Sequence, residues 1–241
     1  MSVTICLDFG NTRLKCAVFE SNSLKEVLIL NDDSKETIED LLRKTKPRYS
    51  ILSSVINHSP LTEKMLEHHT VFHKLTHQTR LPFKIPVGKP ETVGADRLAL
   101  CAAAVHLFPG KNNLAIGLGT CITYNFINQN SEFLGGSIAP GLDMRFQSMH
   151  GLTAKLPLIG MEWNFPLIGY DTKTNLLSGV AWGMAKEIDG IIDAYSEKFG
   201  NFNVLLTGGN TLHFAPLLKN MIFADPHLIF KGLYAISELN R

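Results

Sequence analysis

Apolar and polar positions alternate in short runs near the start of the chain, a pattern typical of β-strands. The strands predicted for the first half cover residues 3–9, 14–19, 27–30 and 49–55. Apolar residues at helical spacing predict helices over residues 37–44 and 61–68 and over the Ala- and Leu-rich stretch 97–107. The first half is therefore predicted to form three strands followed by alternating helices and strands.

The same order of elements is predicted a second time. Strands are predicted over residues 114–117, 122–127, 133–135 and 202–206, and helices over 176–199 and 212–220. Pro109 and Gly110 interrupt the chain between the two sets. This self-similarity favours an α/β fold with mixed sheets and two lobes, an N-terminal lobe of residues 1–108 and a C-terminal lobe of residues 109–241.

Composition and charge exclude several classes of protein. The 241 residues are 45% hydrophobic and 19% charged, and the net charge of +1 argues against a nucleic-acid-binding surface. The sequence contains no apolar run of about 18 residues and no charged-then-apolar leader. Cys6, Cys16, Cys101 and Cys121 lack C-x-x-C spacing, which favours buried thiols over disulfides or zinc. We expect a cytoplasmic protein that binds neither nucleic acid nor a membrane.

The first predicted strand ends in residues that suit a phosphate site. Asp8 could hold Mg²⁺, Gly10 allows a close approach of the backbone, and Asn11 and Thr12 can donate hydrogen bonds. A β-hairpin with polar turn residues would have a similar sequence, so this segment alone leaves both interpretations open.

A related segment about 110 residues further along favours the phosphate interpretation. When the two strands are aligned, Gly119 falls on Gly10, Thr120 on Asn11, and Gly117 on Asp8. Two such hairpins could grip a polyphosphate from both sides, although only the first brings a carboxylate. The pair predicts a nucleotide clamp with one metal-holding side.

Residues 90–97 precede the Ala-rich helix and also allow two interpretations. Asp96 stands where an N-cap is expected, and Gly94 suits a turn. Alternatively, Asp96 receives or orients the proton of an attacking hydroxyl, a role that a weak base can fill in a loose phosphoryl-transfer transition state. Arg97 would then offer a forked donor to a substrate carboxylate or phosphate.

Two glycine-rich segments are weaker signals. Residues 135–141 are predicted to form a loop after a strand, where adjacent glycines allow positive φ or a close ligand. Residues 205–210 predict a strand that ends in Gly208 and Gly209 before a helix, a place where an adenine ring could lie against bare backbone.

Other catalytic and metal-binding patterns are absent from the sequence or poorly matched. It has no G-x-x-x-x-G-K-[ST], H-E-x-x-H or G-x-S-x-G motif, and Ile122 occupies the place of the third glycine of a dinucleotide fingerprint. His69, His73 and His77 are four residues apart, but the pattern around them indicates strand and loop. Solvated histidines are therefore favoured over a metal site.

Taken in order, these segments resemble the type III pantothenate kinases, a family of the acetate kinase/sugar kinase/Hsp70/actin superfamily. The likeness covers nearly the whole chain. It rests on residues 8–15, 90–97, 119–123 and 135–141, and on 178–179 together with 207–209. The resemblance implies two ribonuclease H-like lobes of the actin-like ATPase type with a duplicated βββαβαβα topology.

The resemblance also implies an activity and a set of site residues. The implied reaction is ATP-dependent phosphorylation of pantothenate to 4'-phosphopantothenate, the first step of coenzyme A biosynthesis, with Asp96 as the base and Asp8 holding Mg²⁺ through water. The implied ATP-binding residues are Asp8, Gly10, Asn11, Thr12, Arg13, Leu14, Lys15, Gly119, Thr120, Thr123, Gly208 and Gly209. The implied pantothenate-binding residues are Val87, Gly94, Ala95, Asp96, Arg97 and Thr172. Because the family is dimeric, we expect a homodimer in which Thr172 helps to close the pocket of the partner subunit.

The chain departs from the family pattern in two regions. The second phosphate motif of the family usually starts with Asp and often ends with Asp, where this chain has Gly117 and Asn125. The first of these carboxylates is associated with an activating K⁺ or NH₄⁺ ion, so its loss bears on the cation requirement. Val87 replaces a common Tyr and Asp171 a common Asn, which bears on the pantothenate pocket.

Two rival functions remain open on the sequence. One is a nucleotide-binding regulator with the kinase fold but little catalysis, and the losses at Gly117 and Asn125 motivate it. The other is a kinase or phosphohydrolase of the same superfamily acting on another small hydroxylated substrate, since a fold does not fix its function.

Overall fold

The computed structural model describes residues 2–241 and divides the chain into two compact units. The first unit comprises the chain up to Gly110 together with residues 127–134 and 227–241, and the second comprises residues 111–126 and 135–226. The predicted boundary after residue 108 lies next to the first of these divisions. Two later segments return to the first unit, so each unit is built from separate stretches of chain.

The strands and helices follow the predicted alternation. The strands are β1 Val3–Phe9, β2 Leu14–Glu20, β3 Ser23–Leu30, β4 Tyr49–Ser54, β5 Val71–Lys74, β6 Asn113–Leu118, β7 Cys121–Ile127, β8 Phe133–Pro140, β9 Asn203–Gly208 and β10 Phe223–Ala224. The helices are α1 Lys35–Thr45, α2 Pro60–His69, α3 Ala95–Leu107, α4 Leu142–Gly151, α5 Thr172–Phe199, α6 Thr211–Phe214 and α7 Leu228–Leu239.

The sheet of the first unit has the order β3-β2-β1-β4-β5 and is covered on both faces. β1 runs antiparallel to β2 and parallel to β4. Ile5 and Leu7 of β1 pack in one cluster with apolar residues of α1 and α2, while Cys6 packs in another with residues of α3 and α7. Burial on both faces explains why β1 is apolar at nearly every position until Asp8.

The second unit has a sheet of order β10-β9-β6-β7-β8, with β9 parallel to β6. Its core contains Leu114 and Ile116 of β6, Tyr124 of β7, and a row of apolar residues from α5. The sheet is therefore packed against a helix of 28 residues that supplies much of the apolar surface.

The two sheets have the same strand order when each is numbered within its own unit. β6 takes the place of β1, β7 that of β2, β8 that of β3, β9 that of β4, and β10 that of β5. This confirms the predicted α/β fold with two mixed sheets and the predicted internal repeat. The polar hairpins after β1 and β6 occupy equivalent positions in the two units.

Several local predictions were wrong. Residues 135–141 were predicted to be a loop, but the strand β8 continues to Pro140, with Gly135 and Gly136 at φ values of 104° and 159°. The predicted helix over 212–220 ends as α6 at Phe214 and continues as a 3₁₀ turn, Ala215–Leu217. Pro216 explains that ending, because it lacks the N–H donor that a further α-helical hydrogen bond would need.

α4 and α7 were not predicted, and α7 carries a glycine in its middle. Gly232 in the middle of a helix costs about 1 kcal/mol relative to alanine, which weakens the local signal. In the structure Gly232 lies against the backbone of Ala99 and Ala103 in α3, where a methyl group would collide with the Ala99 carbonyl. The close packing of α7 on α3 therefore explains the helix that local propensity did not indicate.

Candidate active site

The first polar hairpin joins β1 to β2 through four residues. The Gly10 N–H donates to the Arg13 carbonyl at 3.2 Å, and Asn11, Thr12 and Arg13 are exposed. Leu14 begins β2, which places Lys15 directly opposite Asp8 in the antiparallel register. The turn thus presents exposed polar groups beside a carboxylate and an ammonium group, a donor set that suits phosphate and a divalent cation.

Asp8 is half-buried, and its charged form is disfavoured. Burial, followed by the negative charge of Asp96, raises the pKa of Asp8 to about 7, although Lys15 and the Ser53 hydroxyl oppose the shift. Two carboxylates that repel each other in this way attract a cation. The first unit therefore has a concentration of negative charge where β1 ends.

Asp96 lies in the first turn of α3 and does not cap it. The N-cap is Gly94, Ala95 is the first helical residue, and the N-cap prediction for Asp96 was wrong. Burial raises the pKa of Asp96, while hydrogen bonds from the backbone N–H groups of Arg97 and Asp96 and the charge of Arg97 oppose the shift. The carboxylate is held by the helix N-terminus and is still a better base than an exposed aspartate.

Gly94 is needed for the position of that carboxylate. A methyl group at Gly94 would lie 2.5 Å from Oδ1 of Asp96, closer than real side-chain contacts allow. Arg97 lies with its guanidinium 5.6 Å from the ring centre of Phe133, and Val87 packs against the same apolar cluster. The structure therefore places Asp96 near enough to Asp8 for its charge to act on it, and Val87 and Arg97 share the surroundings of Phe133.

The second polar hairpin is supported by two glycines that are distant in sequence. The Gly119 N–H donates to the Cys121 carbonyl at 3.0 Å, and the Gly141 N–H donates to the Thr120 carbonyl at 3.0 Å. A methyl group at Gly141 would collide with the carbonyls of Gly119 and Thr120, and one at Gly208 with the carbonyl of Leu118. The two glycine-rich motifs thus converge on this hairpin, a role that the sequence did not predict for either.

The side chains of Thr123 and Asn125 are buried on the same face of β7 in the second unit. Both are buried, and Nδ2 of Asn125 donates to Oγ1 of Thr123 at 3.2 Å and to the Ala115 carbonyl at 3.1 Å. Gly117, on β6, is in register with Thr207 on β9, and the buried Thr207 hydroxyl has no hydrogen-bond partner among residues 2–241. A neutral amide and a glycine therefore stand at the two positions where the resemblance implies carboxylates.

Thr172 is the exposed first residue of α5. Its neighbour Asp171 is the N-cap, and it forms a capping box in which the Thr174 N–H donates to the Asp171 carboxylate at 2.7 Å. Hydrogen bonds from Thr174 lower the pKa of Asp171. Asp and Asn are equally good N-caps, so the change at 171 preserves the helix start.

The residues around Asp8 fit a magnesium ion held by one protein carboxylate. Residues 2–241 contain no group of three His, Cys, Asp or Glu side chains arranged for a metal ion. Mg²⁺ commonly keeps several waters and binds through one or two carboxylates plus substrate phosphates, so a single ligand suffices. Ser53, opposite Asp8 in the β1–β4 register, has a fully buried hydroxyl without a hydrogen bond of regular geometry, which a metal-bound water could complete.

Solved structures of other proteins share the fold of this chain. A structure described as a conserved Baf family transcriptional activator from Campylobacter jejuni matches with a TM-score of 0.64 at 21% identity, covering 98% of both chains. The inorganic polyphosphate/ATP-glucomannokinase from Arthrobacter sp. strain KM matches with a TM-score of 0.54 at 12% identity, covering 100% of both chains. The two units, each with one polar hairpin, therefore have the fold of the actin-like ATPases and sugar kinases.

Sequence comparison then gives the family. The type III pantothenate kinase family profile matches residues 4–194. A type III pantothenate kinase from Christiangramia forsetii is 41% identical over 241 residues, covering 99% of each chain, and one from Cytophaga hutchinsonii is 40% identical, covering 99% of this chain and 100% of the relative. The chain belongs to the type III pantothenate kinase family. Among residues 2–241, none of the helices is both long and apolar enough to span a membrane.

Proposed function

We propose that the chain transfers the γ-phosphoryl group of ATP to the primary hydroxyl of pantothenate, giving 4'-phosphopantothenate for coenzyme A synthesis. Family membership supports the reaction. The observation that carries the assignment of roles is the placement of Asp96 in the first turn of α3, half-buried and electrostatically coupled to Asp8. One carboxylate is available for the proton and the other for the metal.

Asp96 would act as the base. The pantothenate oxygen forms a bond to the γ-phosphorus while the bond from that phosphorus to the β-bridging oxygen breaks, and the hydroxyl proton passes to the Asp96 carboxylate. A loose transition state requires this transfer only late, so a carboxylate of raised pKa is adequate. Holding the hydroxyl in line would contribute more than basicity does.

Asp8 would hold Mg²⁺ through water, and the ion would neutralise charge on the β- and γ-phosphates. The exposed turn Asn11–Arg13, with Gly10, Leu14 and Lys15, would bind phosphate oxygens on one side. Gly119, Thr120 and Thr123 would form the corresponding set in the second unit, and Gly208 and Gly209 would lie on the adenosine side. Lys15 is suited to its role because its charge already stabilises ionised Asp8.

Arg97 and the Gly94 backbone would bind pantothenate, with Val87 and Ala95 lining the pocket. Arg97 offers two parallel N–H donors to the pantothenate carboxylate. Thr172 would complete the pocket of the partner subunit in a cytoplasmic homodimer. Gly117 removes the negative charge that would favour a bound K⁺ or NH₄⁺, so the activation by these ions is expected to be weaker than in the family pattern.

The test is turnover of purified protein with ATP, Mg²⁺ and pantothenate, with and without K⁺, followed by mass spectrometry of the product. We expect phosphopantothenate under both conditions. A thermal shift with ATP, none with added pantothenate and no product under any cation condition would overturn the proposal in favour of a nucleotide-binding regulator. Phosphorylation of another hydroxylated substrate in a screen, without phosphopantothenate, would overturn it in favour of a different kinase.

A further inference from the structure

A chain of polar contacts lies directly behind the first phosphate hairpin and takes no part in the roles described so far. Nδ1 of His58 is 2.8 Å from Oγ of Ser54, and Nε2 of His58 is 2.7 Å from Oε1 of Glu63. Lys74 Nζ donates to the same Glu63 oxygen at 2.7 Å. The His58 side chain is only 7% exposed, so both ring nitrogens are committed inside the protein.

Glu63 anchors this chain at its outer end. Although burial opposes the shift, hydrogen bonds from Lys74 and His58 lower the pKa of Glu63, which keeps the carboxylate ionised. A hydrogen bond to an ionised acceptor is about twice as strong as one between neutral groups. His58 is therefore fixed in orientation from α2 and β5, and its other nitrogen fixes Ser54.

The inner end of the chain reaches the residues that carry the reaction. The His58 ring meets Phe9, the residue between Asp8 and Gly10, edge-on with ring centres 5.8 Å apart. The segment that His58 holds is in register with the metal-binding strand, since Ser53 is opposite Asp8 and Ser54 is opposite Phe9. The Val55 N–H extends this pairing by donating to the Phe9 carbonyl at 3.1 Å.

The same segment also contacts the turn that carries Asp96. A methyl group at Gly94 would lie 4.0 Å from Cγ1 of Val55, in ordinary contact. Residues 53–56 thus lie beside Asp8 on one side and beside the start of α3 on the other. Ser54 closes this segment on itself by donating to the Ile56 carbonyl at 3.1 Å.

We infer that His58 is a positioning residue for phosphoryl transfer: by clamping residues 53–56 through Ser54, it sets the spacing between Asp8 and Asp96. The inference rests on the proposed function, because it concerns the two carboxylates of that reaction. The proposed roles give His58 no direct contact with nucleotide or pantothenate. Its effect is therefore expected on turnover more than on ATP binding, since a displacement of about 1 Å in a reacting group can cost up to about 100-fold in rate.

The test compares His58→Ala with His77→Ala, an exposed histidine of the same unit. His58→Ala is expected to lower kcat about tenfold with the KM for ATP within about twofold, whereas His77→Ala leaves both unchanged. His58→Asn can restore the contact with Ser54, and His58→Gln only the contact with Glu63, so Asn should rescue kcat better than Gln. Equal kcat in His58→Ala and wild type would overturn the inference.

Two further measurements separate positioning from general stability. Ser54→Ala and His58→Ala should be non-additive in kcat, because both break one contact chain. Amide exchange at Val55 should be faster in His58→Ala than in His77→Ala, and this readout requires no turnover. Unchanged exchange at Val55 would overturn the inference. If the wild-type protein makes no phosphopantothenate but Val55 still exchanges faster in His58→Ala than in His77→Ala, the clamp is supported and the proposed function is contradicted.

Discussion

Asp8 and Asp96 are close enough for the charge of one to raise the pKa of the other. Neither residue has a compensating partner that returns its pKa to an ordinary value, although Lys15 acts on Asp8 and Arg97 on Asp96. Such pairs are unfavourable for the ligand-free protein and useful once a cation and a proton-donating substrate arrive. Ionised Asp8 and Asp96 therefore destabilise the folded, ligand-free protein, and the same two groups are the ones proposed to carry the reaction.

Because the charge on Asp8 is unfavourable in the folded state, Asp8→Asn is predicted to stabilise the ligand-free protein. The pKa of Asp8 is about 7 when folded and about 3.9 when unfolded. Between these values the folded state binds more protons, so stability falls as pH rises from about 4 to about 7. Urea unfolding at pH 8 should show a gain of about 1–3 kcal/mol for Asp8→Asn, shrinking towards pH 4. Glu67→Gln, at an exposed position, serves as the control. Equal stability of Asp8→Asn and wild type at pH 8 would contradict the raised pKa of Asp8.

Gly94 offers a second prediction at the scale of a residue. In Gly94→Ala the new methyl group would displace the Asp96 carboxylate, so kcat should fall about 100-fold while folding is little affected. Gly160→Ala is the matched control, because a methyl group there meets no atom within 4 Å. Steady-state kinetics of the two variants makes the comparison. A Gly94→Ala enzyme with wild-type kcat would show that the position of Asp96 is not critical.

At the scale of elements, the second hairpin depends on two glycines brought to it by β9 and by the start of α4. Gly208 has a φ of 114° and lies against the Leu118 carbonyl, so it combines backbone strain with a lack of space. Gly208→Ala should destabilise the protein by about 2 kcal/mol or more. The neighbouring Gly209→Ala, with open space and no positive φ, should leave the denaturation midpoint unchanged. Similar midpoints for the two variants would refute this support role.

The elements that could be predicted from sequence are those whose signal is local. β1 is defined by its apolar run and α5 by its apolar spacing, and both were found at or near their observed bounds. α4, α7 and the extension of β8 were missed, and the last two contain Gly232 and the pair Gly135 and Gly136, residues that local propensity disfavours. Their stabilisation comes from contacts across the fold, such as that between Gly232 and Ala99.

The same distinction applies to the candidate site. The motif residues Asp8, Gly10, Gly94 and Asp96 could be selected because each belongs to a recognisable pattern along the chain. The series of polar contacts from Glu63 through His58 to Ser54 could not be predicted from the sequence, since its geometry depends on how α2 and β4 meet. The convergence of Gly141 and Gly208 on one hairpin could not be predicted from the sequence either, because it exists only once the second sheet has formed.

At the scale of the whole molecule, duplication has produced two equivalent hairpins of which only the first keeps a carboxylate. The proposed site uses both hairpins and also Thr172 of a partner subunit. Mixing the Asp96→Asn protein with the Thr172→Ala protein therefore tests whether Thr172 acts in the site of its partner subunit. If the two residues act across the dimer, one site of each mixed dimer is intact, and random mixing should restore about a quarter of wild-type activity. Activity that stays at the sum of the separate variants would place Thr172 in its own subunit's site or outside the mechanism.

The central claim is that Asp96 receives the proton of pantothenate during phosphoryl transfer. The most direct measurement is the single-turnover rate of phosphopantothenate formation by Asp96→Asn and by the exposed control Asp143→Asn, with ATP binding followed by thermal shift. We predict that Asp96→Asn loses about 100-fold or more in rate and keeps its ATP shift, while Asp143→Asn matches wild type. An Asp96→Asn enzyme that forms phosphopantothenate at the wild-type rate would contradict the account.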